Sequence, residues 1–181
     1  EYHPDLWWFD GDWEQSAKSW KAPEVRQLLL EQTPTTIINS RLQGYGDYAT
    51  PEQGVPIRKP QSDYWELCMT MNTSWGYQPN DTEYKSPNQI IRILVDCISM
   101  GGNLLLDIGH KADGTIPDEQ VKILQELGGW TQKNEAAIYA TRAGNAKDNF
   151  NSSYLKMGWS DGLPLVPPTR ERMDAMLGGT P

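Results

Sequence analysis

The strongest constraint on this 181-residue chain is an alternation. Short apolar or β-branched runs, each closing on a polar or charged residue, are separated by segments with helix signals. Asp5-Leu6-Trp7-Trp8-Phe9-Asp10 reads as a buried strand entering a loop at Gly11. A helix is expected over 23–31, with Pro23 in its first turn and Val25, Leu28 and Leu29 on one face. The β-branched residues over 35–39 give the next strand, ending at Asn39-Ser40-Arg41. The stretch 42–64 holds Gly44, Gly46, Pro51, Gly54, Pro56 and Pro60 and reads as one long loop, a kind that in compact domains is functional or disordered. Further strands are expected over 65–71 and 103–109. Between them, Ser86-Pro87-Asn88-Gln89 has capping-box spacing with Pro at the first helical position. Ile90, Ile91, Leu94, Val95 and Ile98 then form an apolar stripe that Gly101-Gly102 stops. A helix over 117–134 carries Asp118 and Glu119 in its first turn, and 136–141 reads as a final strand. Strands apolar on both faces, alternating with helices, give an α/β chain with a parallel sheet. Asp10, Arg41, Asn72 and Asp107 fall just past the strands, where such sheets build their sites. Residues 143–181 break the pattern and read as a Pro/Gly-rich appendage with a short helix over 169–177.

Composition narrows the chemistry. With 24 acidic against 16 basic residues, the net charge of −8 disfavours a binder of nucleic-acid phosphates. No apolar run approaches the ~20 residues of a membrane-spanning helix, and the N-terminus lacks the basic-then-apolar pattern of an export signal. Cys68 and Cys97 stand in apolar surroundings without zinc or C-x-x-C spacing and read as buried free thiols. The aromatic content, 8 Trp and 8 Tyr against 2 Phe, suits stacking on sugar rings. A Trp-rich core is the competing reading.

Among groups able to do chemistry, carboxylates stand out. Asp10 lies among Trp8, Phe9 and Trp13, and Glu52 lies in Thr50-Pro51-Glu52-Gln53. Carboxyls on facing strand ends, one ionised and one raised in pKa, are the apparatus of glycoside hydrolysis, although the same residues would serve as ordinary capping or loop acids. With only His3 and His110 present, a triad has few possible bases. Aligning Gly114 with the central glycine of a calcium loop puts Gly109 and Gln120 where ligating acids belong, so no metal site is expected. No phosphate-binding glycine motif follows a strand, and no cofactor is expected.

Several ordered blocks together resemble the α-L-fucosidases of glycoside hydrolase family 29. They are Leu6-Trp7-Trp8-Phe9-Asp10-Gly11, Ile38-Asn39-Ser40-Arg41, Gly46-Asp47-Tyr48-Ala49-Thr50-Pro51-Glu52, Trp65-Glu66-Leu67-Cys68-Met69-Thr70-Met71-Asn72-Thr73-Ser74-Trp75-Gly76-Tyr77, Gly101-Gly102-Asn103-Leu104-Leu105-Leu106-Asp107-Ile108-Gly109, Ala112-Asp113-Gly114-Thr115-Ile116-Pro117 and Ala137-Ile138-Tyr139-Ala140-Thr141-Arg142. His110 stands where the family usually has Pro.

The resemblance covers about residues 3–142 and implies the C-terminal half of a (β/α)8-type, TIM-like barrel, with 1–142 as partial catalytic barrel and 143–181 as an irregular tail. It implies a retaining hydrolase of terminal α-L-fucosides, with Asp10 matching the nucleophile. Glu52 is the best match for the acid/base and Glu66 its rival. Trp8 and Arg41 match sugar-contacting positions, and Trp75 an aromatic near the fucose C6 methyl. A fucosylated glycan or aryl fucoside is the expected substrate. The upstream half of the family's barrel is absent from this chain, so self-association or a complementary half-barrel is expected. A non-catalytic fucose-binding module, or an inactive truncated barrel, is the alternative. Family members often work outside the cytoplasm, which would place the protein there too.

Overall fold

A computed structural model describes residues 2–139. The chain divides into two compact units, residues 1–127 and 128–181. In the first, strands β1 (Leu6–Trp7) and β2 (Ile37–Ile38) pair in parallel, and β3 (Glu66–Thr70) pairs in parallel with β4 (Asn103–Asp107). Helices α1 (Ala17–Trp20) and α2 (Ala22–Gln32) connect β1 to β2, and α3 (Pro87–Ser99) connects β3 to β4. A 3-10 turn over Asp12–Glu14 follows β1. Helix α4 (Asp118–Lys133) follows β4. The described part of the second unit holds the end of α4 and the short α5 (Glu135–Ile138).

The stretch expected as one long loop has a structural part. Parallel bridges join Asn39 to Tyr48, Ala49 to Trp65 and Glu52 to Cys68. Segment 47–53 therefore runs between β2 and β3 as an irregular link, and the ladder bonds of Ser40 N–H to Tyr48 O (2.9 Å) and Cys68 N–H to Pro51 O (2.9 Å) lie on its two sides. Pro51 explains its irregularity, because proline has no N–H to give a ladder. Gly46 lets this link press on β2: a Cβ there would overlap the Asn39 backbone.

Strand alternation decides what faces the helices. Leu67 and Met69 of β3 pack with Trp65 and with Cys97 of α3, joined by Leu104 and Leu106 of β4. Ile38 of β2 packs with Ala22, and Trp7, Val25 and Leu29 close that cluster. The opposite face carries Glu66, Cys68 and Thr70, with Leu6, Ile37 and Leu105 exposed. Among the described residues, helices pack against one side of these strands.

The sequence signals at α3 hold. The Ser86 hydroxyl accepts from Gln89 N–H (3.3 Å), the Gln89 side chain accepts from Ser86 N–H (2.7 Å), and Pro87 opens the helix. Cys68 and Cys97 are buried and free, as expected. The strand expected over 136–141 is a correction: Glu135–Ile138 form α5, closed by Tyr139 N–H to Glu135 O (2.9 Å). Glu135, Ala136 and Ala137 are strong helix formers, and they outweigh the β preference of Ile138 and Tyr139. The appendage over 143–181, its helix over 169–177 and the end of that expected strand lie outside the described residues. Among the described residues no helix is long and apolar enough to cross a membrane.

Candidate active site

The site is built on Arg41, three residues past β2. Its side chain is only 10% exposed, yet its guanidinium reaches two carboxylates: Nη1 to Asp10 Oδ1 at 2.8 Å, and Nη2 to Glu52 Oε1. Asp10 follows β1, and Glu52 sits in the link that pairs with β3. Three neighbouring parallel segments thus send their polar residues to one cation. Thr50 steadies it, since Nε donates to the Thr50 hydroxyl (3.0 Å) and Nη2 to the Thr50 carbonyl (3.4 Å). The guanidinium carbon lies 4.5 Å from the centre of the Trp8 ring, a cation–π contact. Burial pulls the Arg41 pKa down, and the bonds to Asp10 and Glu52 more than offset this, leaving it above its ordinary value.

Behind this trio lies Glu66, at the start of β3. Burial raises its pKa, partly offset by the Trp8 indole N–H, which donates to Glu66 Oε1 at 3.4 Å, and by the nearby Tyr48 hydroxyl. The Tyr48 hydroxyl is itself buried outside hydrogen-bonding geometry, and burial followed by the Glu66 charge pushes its pKa up to about 12. Cys68, two residues on, is pushed up to about 11 by burial and feels the charges of Arg41, Glu52, Glu66 and Asp107, so it lies within this polar layer as an inert thiol.

Chemically, this is a solvent-facing pair of carboxylates, Asp10 at 57% and Glu52 at 43% side-chain exposure, tied to one buried guanidinium beside an indole face. A third, half-buried carboxyl favours its neutral form beyond the ordinary range. Such a set can attack, protonate and stack on a sugar.

The family model for alpha-L-fucosidase matches residues 1–136. The chain belongs to the alpha-L-fucosidase family. Among curated fucosidases, an alpha-L-fucosidase of Dictyostelium discoideum is 36% identical over 151 residues, covering 77% of this chain and 32% of the relative. The tissue alpha-L-fucosidase of Mus musculus is 34% identical over 168 residues, covering 85% and 36%. Among solved structures, alpha-L-fucosidase isoenzyme 1 of Paenibacillus thiaminolyticus superposes with a TM-score of 0.73 at 35% identity, over 77% of this chain and 37% of that one. The Thermotoga maritima alpha-fucosidase in complex with a mechanism-based inhibitor gives 0.70 at 34% identity, over 81% and 34%. The chain therefore spans about a third of the length of the fucosidases it matches.

Of the residues singled out from the fucosidase motifs, the fold brings Trp8, Asp10, Arg41, Glu52 and Glu66 into one connected set. Trp75 is 45% exposed in the segment after β3, with no contact to that set among the described interactions. Thr50, bonded to Arg41, and Tyr48, close to Glu66, do not stand out in the sequence as neighbours of the charged groups. Their signal was position: Tyr48, Thr50 and Glu52 alternate along one segment, so all turn to one side once that segment is extended.

Proposed function

We propose that this chain carries the catalytic carboxylates of a retaining α-L-fucosidase, with Asp10 as nucleophile and Glu52 as acid/base. The observation that carries the reading is the single guanidinium of Arg41 pairing with both acids just past parallel strands, in a chain of this family. Asp10 would attack the anomeric carbon while Glu52 gives its proton to the departing oxygen. This step yields a fucosyl ester and a free alcohol. Glu52 then takes a proton from water as that water attacks the same carbon, releasing fucose and restoring the Asp10 carboxylate. A retaining pair works at a carboxyl separation of about 5–5.5 Å. Arg41 pairs with Asp10 and lies on Trp8, whose indole would border the sugar, and Trp75 would meet the C6 methyl.

One observation favours Glu66 as acid instead: burial raises its pKa, as a general acid requires. Its bond from Trp8 and its position behind that ring suit a supporting role better. Leaving-group dependence separates the two. Glu52→Gln should lose turnover of alkyl fucosides while still cleaving aryl fucosides whose leaving group needs no proton. If Glu66→Gln shows that pattern and Glu52→Gln does not, the roles are exchanged. Asp10→Asn should abolish both activities.

We further propose that residues 1–142 form the C-terminal half of a TIM-like barrel, with 143–181 as an appendage. Exposed Leu6, Ile37 and Leu105 on the face without helices support this, because a closed barrel would cover them. A complementary half-barrel or a second copy of this chain would close it. Light scattering that finds a monomer with a cooperative melt contradicts that closure.

A further inference from the structure

We infer that Asn39 is a positioning residue that places Asp10, by extending the β1–β2 pairing with its side chain. The inference rests on reading Asp10 as the nucleophile. Regular pairing of the two strands ends at Trp7 and Ile38, where Asn39 N–H still reaches Trp7 O at 3.1 Å. Beyond that point the Asn39 carboxamide takes over the ladder. Phe9 N–H donates to Asn39 Oδ1 at 2.9 Å, and Asn39 Nδ2 donates to Phe9 O at 2.8 Å. A primary amide offers both a donor and an acceptor, as a strand peptide would, and both bonds together fix its orientation. Asn39 is fully buried, so each bond is shielded from water.

The locked Phe9 peptide immediately precedes Asp10. Gly11 follows with φ of 79°, a left-handed turn that starts the loop. The Asp10 carboxylate is largely exposed, so its place is set by this backbone and by Arg41 rather than by packing. Asn39 is held from its far side by the bridge to Tyr48 and by the close approach of Gly46. Two residues later the same strand end delivers Arg41. One short segment, Asn39 to Arg41, therefore fixes both the backbone of the nucleophile and its counter-ion. Aspartate at position 39 would keep an acceptor for Phe9 N–H, lose the donor to Phe9 O and bury a charge. Alanine would leave both Phe9 groups unmatched.

The test is NMR on the full chain, with carboxyl-labelled Asp and amide-labelled Phe, comparing wild type, Asn39→Ala, Asn39→Asp and Thr36→Val. Thr36 serves as control: its buried hydroxyl donates to Pro4 O (2.8 Å) just ahead of the same strand pair, at the end away from the carboxylates. In Asn39→Ala the Phe9 amide should exchange about tenfold faster, matching the loss of one buried hydrogen bond. The Asp10 carboxyl resonance should move with it. Asn39→Asp should retain part of the Phe9 protection yet still shift Asp10, and it carries the comparison if the alanine variant does not fold. Thr36→Val should lower the melting temperature and leave both signals in place. Unchanged Phe9 and Asp10 signals in the Asn39 variants, or equal shifts in Thr36→Val, would overturn the inference. These readouts need no turnover, so failure of the catalytic reading shows separately, as activity surviving Asp10→Asn.

Discussion

Replacing Arg41 by Lys keeps the charge and removes the fork, which makes it a sharp probe of the site. A lysine ammonium reaches one carboxylate at a time, cannot lie flat on Trp8, and gives up the paired bonds to Thr50. Asp10 and Glu52 are both well exposed, so each ion pair adds only ~0.2–1 kcal/mol to stability. The cation–π contact adds ~0.5–1 kcal/mol, and the Thr50 bond about 1 kcal/mol. Lysine recovers part of this, leaving a net loss of roughly 1–3 kcal/mol. For a chain of this size that lowers Tm by roughly 3–10 °C. The kinetic effect should be larger, because a preorganised donor next to developing charge is worth about 100- to 1000-fold in rate. Differential scanning calorimetry and kcat/KM on an aryl α-L-fucoside measure the two effects. If Arg41→Lys melts within about 1 °C of wild type and keeps kcat/KM within about threefold, the guanidinium does not organise the carboxylates and the site is misread.

Two further outcomes follow from the same geometry. Gly102→Ala puts a Cβ into the indole of Trp65, which is 1% exposed and whose N–H donates to Met100 O at 3.3 Å; overpacking of this kind costs about 1–3 kcal/mol, and calorimetry showing no loss of Tm would contradict the packing described. Glu66, raised by burial above its ordinary 4.5, binds its proton more tightly folded than unfolded. It therefore adds stability that is complete below that value and is lost as pH rises through the higher folded value; urea melts should show this slope in wild type and not in Glu66→Gln.

The α3 cap, the β3 and β4 strands and the stop at Gly101-Gly102 were legible because each signal is local: a hydroxyl three residues from an amide, an apolar stripe, a glycine with positive φ. The place of Asp10 just past a strand was legible, and the resemblance to fucosidases supplied the roles proposed for Asp10 and Glu52. What the sequence hid is long-range. Residues 47–53 look like loop because Gly44, Gly46, Gly54 and Pro56 flank them and Pro51 interrupts them, yet tertiary bonds from β2 and β3 pull them straight. The pairing of one arginine with acids 31 and 11 residues away cannot be read from spacing, since it depends on strand order. The α5 turn was lost to side-chain β preference at Ile138 and Tyr139, where the local backbone bonds of 134–139 decide.

The proposed chemistry turns on Asp10, the acid that follows β1. A fucose-configured fluoro sugar that traps retaining enzymes as a covalent ester, followed by peptide mapping, reads this directly. The adduct should lie on Asp10 and disappear in Asp10→Asn. An adduct on Glu52, Glu66 or any other side chain would contradict the assignment.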